Sequence, residues 1–211
     1  METVEIKAIE TRYNGYRFRS RLEARWAVFF DAADIEYEYE PEGFVLKDGT
    51  PYLPDFYLPM FNAYVEIKRK SISEQELDDA EDKCASLFCS NNGIVVLLCK
   101  GDPIDMDIEI FCNCYDREFG QLMSWEDCAV FVEGAFWNDI DDEGNRVVRG
   151  NGKHGISIAV GERTYSDNFS FPYNNIFRLS AMREYRSTLQ GCKIKSRAAR
   201  FERGETPTKQ G

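Results

Sequence analysis

Along the first hundred residues the apolar positions change period several times, and each change marks an element. Ser20 followed by Glu23 has capping-box spacing. Leu22, Trp26, Phe29, Phe30 and Ala33 then recur at helical intervals, which predicts a helix over about 20–33. IEYEYE at 35–40 alternates strictly, with Ile35, Tyr37 and Tyr39 on one face, and reads as a strand. GFVL at 43–46 is a short strand and KDGT at 47–50 a turn. YLPDFYL and AYVEIKR flank the tight connection Pro59-Met60-Phe61-Asn62 and predict an antiparallel hairpin. Ser73 and Glu76 form a second capping box, opening a helix to about Asn91 with Leu77, Ala80, Cys84, Leu87 and Phe88 on its apolar side. GIVVLLCK at 93–100 is a continuous apolar run, as expected of a strand buried on both faces. Helix, strands, helix, central strand is the order of a compact α/β core of about 100 residues.

Further along, IEIFCNCY (108–115), AVFVEGAFW (129–137) and GISIAVG (155–161) read as strands, with NDIDDEGN as a hairpin loop between the last two. IFRLSAMREYRSTLQ (176–190) and KIKSRAARFER (193–203) read as helices, and GETPTKQG as a frayed tail.

Composition narrows the setting. With 211 residues, 43% of them hydrophobic, the chain can bury a core as one domain or as one domain with an extension. It has no apolar run of membrane-spanning length, and METVEIKAIE lacks the basic-then-apolar pattern of an export signal. The cysteines number 7, an odd count scattered through the chain, which favours reduced thiols over a disulfide scaffold and makes the cytoplasm the expected compartment. A net charge of −11 argues at first against nucleic acid. The charge is unevenly spread, however. Residues 71–145 hold 19 acidic and 3 basic side chains, and residues 146–211 hold 5 and 13. Locally basic surface remains, so DNA stays among the candidate ligands.

The hairpin YLPDFYLPMFNAYVEIKRK carries Asp55, Glu66 and Lys68 in an otherwise apolar setting, where charges are costly without partners. A turn on Met60 and Phe61 pairs residue 55 with residue 66. Glu66 and Lys68 share a face by alternation, so the three charges converge. Glu23, at the edge of the first helix's apolar face, can lean toward them. Acids meeting a lysine suit a hard divalent cation and a scissile phosphate: carboxylates hold the ion, and lysine orients water or stabilises developing charge. The same residues also admit a plainer reading, with Glu23 as a cap, Asp55 as a strand-end residue, and Glu66 and Lys68 as a solvated strand face.

Pro-Asp followed on the next strand by Glu-x-Lys, preceded by a helix bearing Glu, resembles the PD-(D/E)XK nuclease superfamily. The match is closest to the phage endonuclease I group of Holliday-junction resolvases. Phe18, Arg19, Ser20, Leu22 and Glu23 match its helix motif, Glu38-Tyr39-Glu40 its strand, and Pro54-Asp55-Phe56 with Glu66-Ile67-Lys68 its catalytic hairpin. The resemblance covers about residues 16–70. It implies an α/β fold with a restriction-endonuclease-like core, a mixed central sheet flanked by helices, over residues 1–100. Residues 101–211 are expected to form a mainly β extension or an accessory module, ending in helices of which the last is basic. It also implies a metal-dependent endonuclease acting on branched or otherwise structured DNA, with Glu23, Asp55, Glu66 and Lys68 catalytic. Mg²⁺ or Mn²⁺ would be held by Asp55, Glu66 and the Ile67 carbonyl, with Glu23 serving a second ion or its water. Water activated by the metal and Lys68 would attack in line and leave a 5′-phosphate and a 3′-hydroxyl. DNA and a second copy of the chain are the implied partners, with no organic cofactor and no membrane. The competing reading is a non-catalytic DNA- or protein-binding protein that retains the fold.

Arg12, Arg17, Arg19, Arg21 and Arg25 approach the Glu23 helix, Lys70 follows the hairpin, and Lys193, Lys195, Arg197 and Arg200 cluster near the end. Each admits phosphate contact or a solvated surface. Asp139, Asp141, Asp142 and Glu143 resemble a calcium loop, but Gly150 stands where an acid is needed, so a polar turn is expected. Cys112, Cys114, Cys128 and His154 match no common zinc spacing.

Overall fold

A computed structural model describes residues 10–91, 94–105, 107–116, 121–133, 136–140, 146–150, 156–160, 176–177, 189–199 and 201. Strands β1 (Thr11–Tyr13) and β2 (Tyr16–Phe18) form a hairpin about Asn14-Gly15. Both turn residues have positive φ (48° and 86°), the backbone of a two-residue turn that matches strand twist. Helix α1 (Arg21–Ala32) follows, capped by the Ser20 hydroxyl, which accepts the Glu23 N–H at 3.2 Å. The expected capping box is altered here. The Glu23 carboxylate accepts the N–H of Arg19, one residue before the cap. The second box is complete: Ser73 and Glu76 cap α2 (Glu74–Ser90) reciprocally.

Between the helices lie β3 (Glu38–Tyr39), β4 (Phe44–Val45), β5 (Pro51–Tyr52), β6 (Phe56–Leu58) and β7 (Ala63–Lys68). The alternating segment 35–40 is strand only at Glu38–Tyr39, although Ile35, Tyr37 and Tyr39 do share the core side. Strands β6 and β7 are joined by a 3₁₀ turn at Pro59–Phe61 and by Asn62 at φ 44°. They pair with Phe56 opposite Val65, Tyr57 opposite Tyr64 and Leu58 opposite Ala63, the register expected from a turn on Met60 and Phe61.

Strand β8 (Val95–Lys100) lies parallel to β7, with α2 as the crossover. The sheet continues through β9 (Asp107–Asp116), β10 (Gln121–Glu133), β13 (Ile156–Val160) and β14 (Ile176–Phe177). A separate hairpin of β11 (Phe136–Ile140) and β12 (Arg146–Gly150) precedes β13. Among the described residues the main sheet has eight strands, ordered β14-β13-β10-β9-β8-β7-β6-β3. It is mixed and the fold is α/β. No break in pairing occurs at residue 100, because β8 pairs directly with β9. Three expectations need correction. Asn138, Asp139 and Ile140, expected in a loop, are strand residues of β11 paired with β12. Ile176 and Phe177, expected to open a helix, are strand residues paired with β13, and the rest of that segment to residue 188 lies outside the described residues. The last helix, α3, spans Leu189–Ala198 rather than 193–203.

Strand alternation sorts the core into two layers. Val65, Ile67, Val95, Leu97, Cys99, Ile108 and Ile110 face α1, where Trp26, Phe29 and Phe30 are fully buried. Tyr64, Val96, Leu98 and Phe111 face α2 through Ala80, Cys84, Leu87 and Phe88. The first layer is closed by α3: the Cys192 thiol donates to the Ala32 carbonyl at 3.1 Å, and Phe201 packs edge-on to Tyr13. Helix α1 is tied to the sheet end by the Trp26 indole N–H, which donates to the Gly101 carbonyl at 3.0 Å. Gly101 has φ 87°, and a Cβ there would meet Asp105 and Lys70 at 3.1 and 3.3 Å, so only glycine suits this turn. Among the described residues no helix is long and apolar enough to cross a membrane.

Leu97 is fully buried in the central strand on the α1 side. Leu97→Ala is expected to lower the unfolding free energy by about 2–5 kcal/mol, read from urea denaturation.

Candidate functional site

At the C-terminal end of β7 the hairpin presents its charges to a cavity of about 500 Å³, lined by Arg19, Glu23, Asp55, Glu66, Ile67 and Lys68 together with Pro51, Tyr52, Leu53 and Lys83. The four residues expected to be catalytic thus border one space. Glu23, Asp55 and Glu66 are buried, at 7%, 4% and 7% exposure, so the solvated-face reading fails for the acids.

Asp55 comes from the residue just before β6, and its carboxylate links the hairpin to α1. Its Oδ2 accepts the Ile67 N–H at 2.7 Å, and its Oδ1 accepts from the Arg19 guanidinium at 2.8 Å. Arg19 also pairs through Nε with Glu40 at 2.6 Å. Glu66 accepts the Tyr52 hydroxyl on Oε2 at 3.0 Å and forms an ion pair with Lys68 through Oε1. Tyr52 in turn lies against the buried Cys84 thiol of α2. Glu23 holds three donors: the Ser20 hydroxyl (2.6 Å), the Arg19 N–H (3.1 Å) and the Tyr39 hydroxyl (2.6 Å). Tyr39 packs edge-on to Phe18 and Phe56, so an aromatic layer fixes both the helix start and the strand carrying Asp55.

Burial is the largest influence on the Asp55 carboxyl and pushes it well above the 3.8 of a free aspartate. The charges of Glu66 and Glu23 push it further, while the Ile67 N–H and Arg19 offset only part of the rise. For Lys68, burial works to lower the ammonium, but the charge and hydrogen bond of Glu66, aided by Asp55, outweigh it and hold it above its ordinary 10.5. Lys68 therefore offers a positive charge rather than a lone pair at neutral pH.

Each carboxylate oxygen of Asp55 and Glu66 has one protein donor and a second lone pair to spare. Two such carboxylates are ligands of the kind that Mg²⁺ and Mn²⁺ take, since these ions use one or two carboxylates and complete their shell with water and phosphate. No group of three or more His, Cys, Asp or Glu side chains among the described residues is arranged to hold a metal ion, and Glu23 is not drawn into one with Asp55 and Glu66.

The arginines expected to contact DNA mostly have acidic neighbours. Arg17 pairs with Glu10, Arg19 with Asp55 and Glu40, Arg25 with Asp102 at 3.3 Å, and Lys70 with Asp105 at 3.7 Å. Arg21 is half-buried on α1. On α3, Lys195 and Arg197 are exposed, while Lys193 is half-buried and lowered by that burial. Arg200 and His154 lie outside the described residues, as do Asp141, Asp142 and Glu143. Cys84, Cys99, Cys112 and Cys192 are buried thiols outside any disulfide.

Three participants escaped the sequence reading. Tyr39 and Tyr52 are recognised only once their hydroxyls are seen on Glu23 and Glu66. Lys83 left a signal, since it falls between Ala80, Cys84 and Leu87 at helical spacing. In comparisons with known proteins, neither a protein-family model nor a curated protein matches the chain.

Folded Asp55 binds its proton more tightly than the unfolded chain does, so stability falls as pH rises above 3.8 until Asp55 ionises in the folded state. Asp55→Asn cannot titrate. Urea unfolding without divalent ions, in steps from about pH 4 to about pH 8, is expected to show the wild type losing stability relative to Asp55→Asn. A flat or opposite trend in the difference contradicts this electrostatic account.

Proposed function

We propose that this protein is a divalent-metal-dependent DNA endonuclease with a restriction-endonuclease-like core, acting on branched DNA. The observation that carries the reading is the joining of two strands through one acid. Asp55 accepts the N–H of Ile67, the residue between Glu66 and Lys68, so both carboxylates and the lysine open onto one cavity. The mixed sheet with α1 on one layer and α2 on the other supports the same reading, as does the resemblance over residues 16–70.

Asp55, Glu66 and the Ile67 carbonyl would hold Mg²⁺ or Mn²⁺. When bound, the ion supplies Lewis acidity and a water of lowered pKa. Lys68, kept charged by Glu66, faces the charge that develops on the phosphoryl oxygens during in-line attack. Products would be a 5′-phosphate and a 3′-hydroxyl. Glu23, already holding three donors, is the positioning residue: it fixes the Arg19 backbone and the Tyr39 hydroxyl. The Arg19 side chain, 56% exposed, can offer its fork to a phosphate.

The test is cleavage of supercoiled plasmid, a four-way junction and a linear duplex, each with Mg²⁺ and with EDTA. Wild type is expected to cut only with the metal and to cut the junction fastest. Asp55→Asn and Glu66→Gln should abolish cleavage, and Lys68→Ala should slow it by about 10²–10³-fold. Equal rates on junction and duplex would remove the branched-DNA assignment and leave the nuclease. A wild type as inert as Asp55→Asn, with DNA or protein binding intact, would overturn the nuclease in favour of a binding protein on this fold.

A further inference from the structure

Three cations line the cavity, and they differ in what already holds them. Arg19 bridges Asp55 and Glu40, and Lys68 is paired with Glu66. Lys83 borders the same cavity and forms no ion pair among the described residues. It is half-buried on α2, one residue before the buried Cys84, whose thiol lies against the Tyr52 hydroxyl that donates to Glu66. This places Lys83 on the flank of α2 that turns toward the catalytic strand.

The charge of the helix sharpens the point. Every other charged residue of α2 is acidic: Glu74, Glu76, Asp78, Asp79, Glu81 and Asp82. The acids repel a polyanion from the first part of the helix, and Lys83, just after them, offers it one point of attraction at the edge of the cavity. A lysine with no carboxylate partner breaks no ion pair in turning to an incoming phosphate, whereas Arg19 and Lys68 are shared with acids.

We propose that Lys83 is a phosphate-contacting residue of this site, holding a backbone phosphate of the cleaved strand beside the scissile one. The proposal rests on the nuclease reading and deepens it. The strand enters between Lys68 and Lys83, and the acidic remainder of α2 turns the flanking DNA away from that helix. The contact is a point charge on a phosphate oxygen, without base recognition.

The experiment measures binding of a four-way junction and a linear duplex by wild type, Lys83→Gln and Lys83→Arg across a series of salt concentrations, with Ca²⁺ replacing Mg²⁺. Melting temperature and steady-state cleavage in Mg²⁺ are followed in parallel. Lys83→Gln is expected to weaken binding to both DNAs about three- to tenfold and to reduce the slope of log K against log salt by about 0.9. KM should rise with kcat nearly unchanged, because the contact is made equally in the ground and transition states. Lys83→Arg should restore the slope, and the melting temperature should not move. If Lys83→Gln binds DNA with wild-type affinity and slope while wild type still cleaves, the Lys83 assignment is overturned and the nuclease stands. A wild type that neither binds nor cleaves DNA overturns both.

Discussion

Burying the Asp55 carboxylate beside that of Glu66 costs free energy that the aromatic hairpin cannot return by itself. The local structure is arranged around that constraint. The Ile67 N–H and the Arg19 guanidinium each take one oxygen of Asp55, and Arg19 is in turn fixed by its backbone contact with Glu23. Glu23 sits at the start of α1, where the Ser20 hydroxyl and Tyr39 hold it. Helix start, β3 and the β6–β7 hairpin are thereby linked through one set of polar contacts under the Phe18, Tyr39 and Phe56 rings. Burial, followed by the charges of Glu66 and Glu23, still holds the Asp55 carboxyl above its ordinary value against these donors.

Positive charge around the cavity is distributed by the same logic. Arg19 and Lys68 each serve an acid within the site. Arg25 and Lys70 are spent on Asp102 and Asp105, in the turn beyond β8 that Gly101 makes possible. The overall −11 is therefore a poor guide to what the cavity attracts. The acids of α2 all precede Lys83, the one basic residue of that helix and a residue bordering the cavity.

Much of this was legible in the residues. The tight connection at 59–62 fixed the register, and register alone put Asp55 opposite Glu66. Helical spacing gave both helix starts, because Ser20 and Ser73 announce themselves through the acids three residues on. What escaped depended on contacts remote in sequence. The half-capping of Ser20 follows from Tyr39 drawing Glu23 toward the sheet, which no local pattern encodes. Asn14-Gly15 between Tyr13 and Tyr16 did carry a hairpin signal, and it was obscured by the arginines around it. Ile176 and Phe177 are strand because β13 offers them an edge, although their local spacing suits a helix. The return of α3 to α1 rests on Cys192 and Phe201, residues that look unremarkable until packed.

The central claim is that Asp55 and Glu66 together form a divalent-cation site, and calorimetric titration of Mn²⁺ and Mg²⁺ into the DNA-free protein tests it most directly. The account predicts measurable binding by wild type and loss of that binding in both Asp55→Asn and Glu66→Gln. Absence of binding by folded wild type, or binding that survives in Asp55→Asn with unchanged affinity, would contradict it.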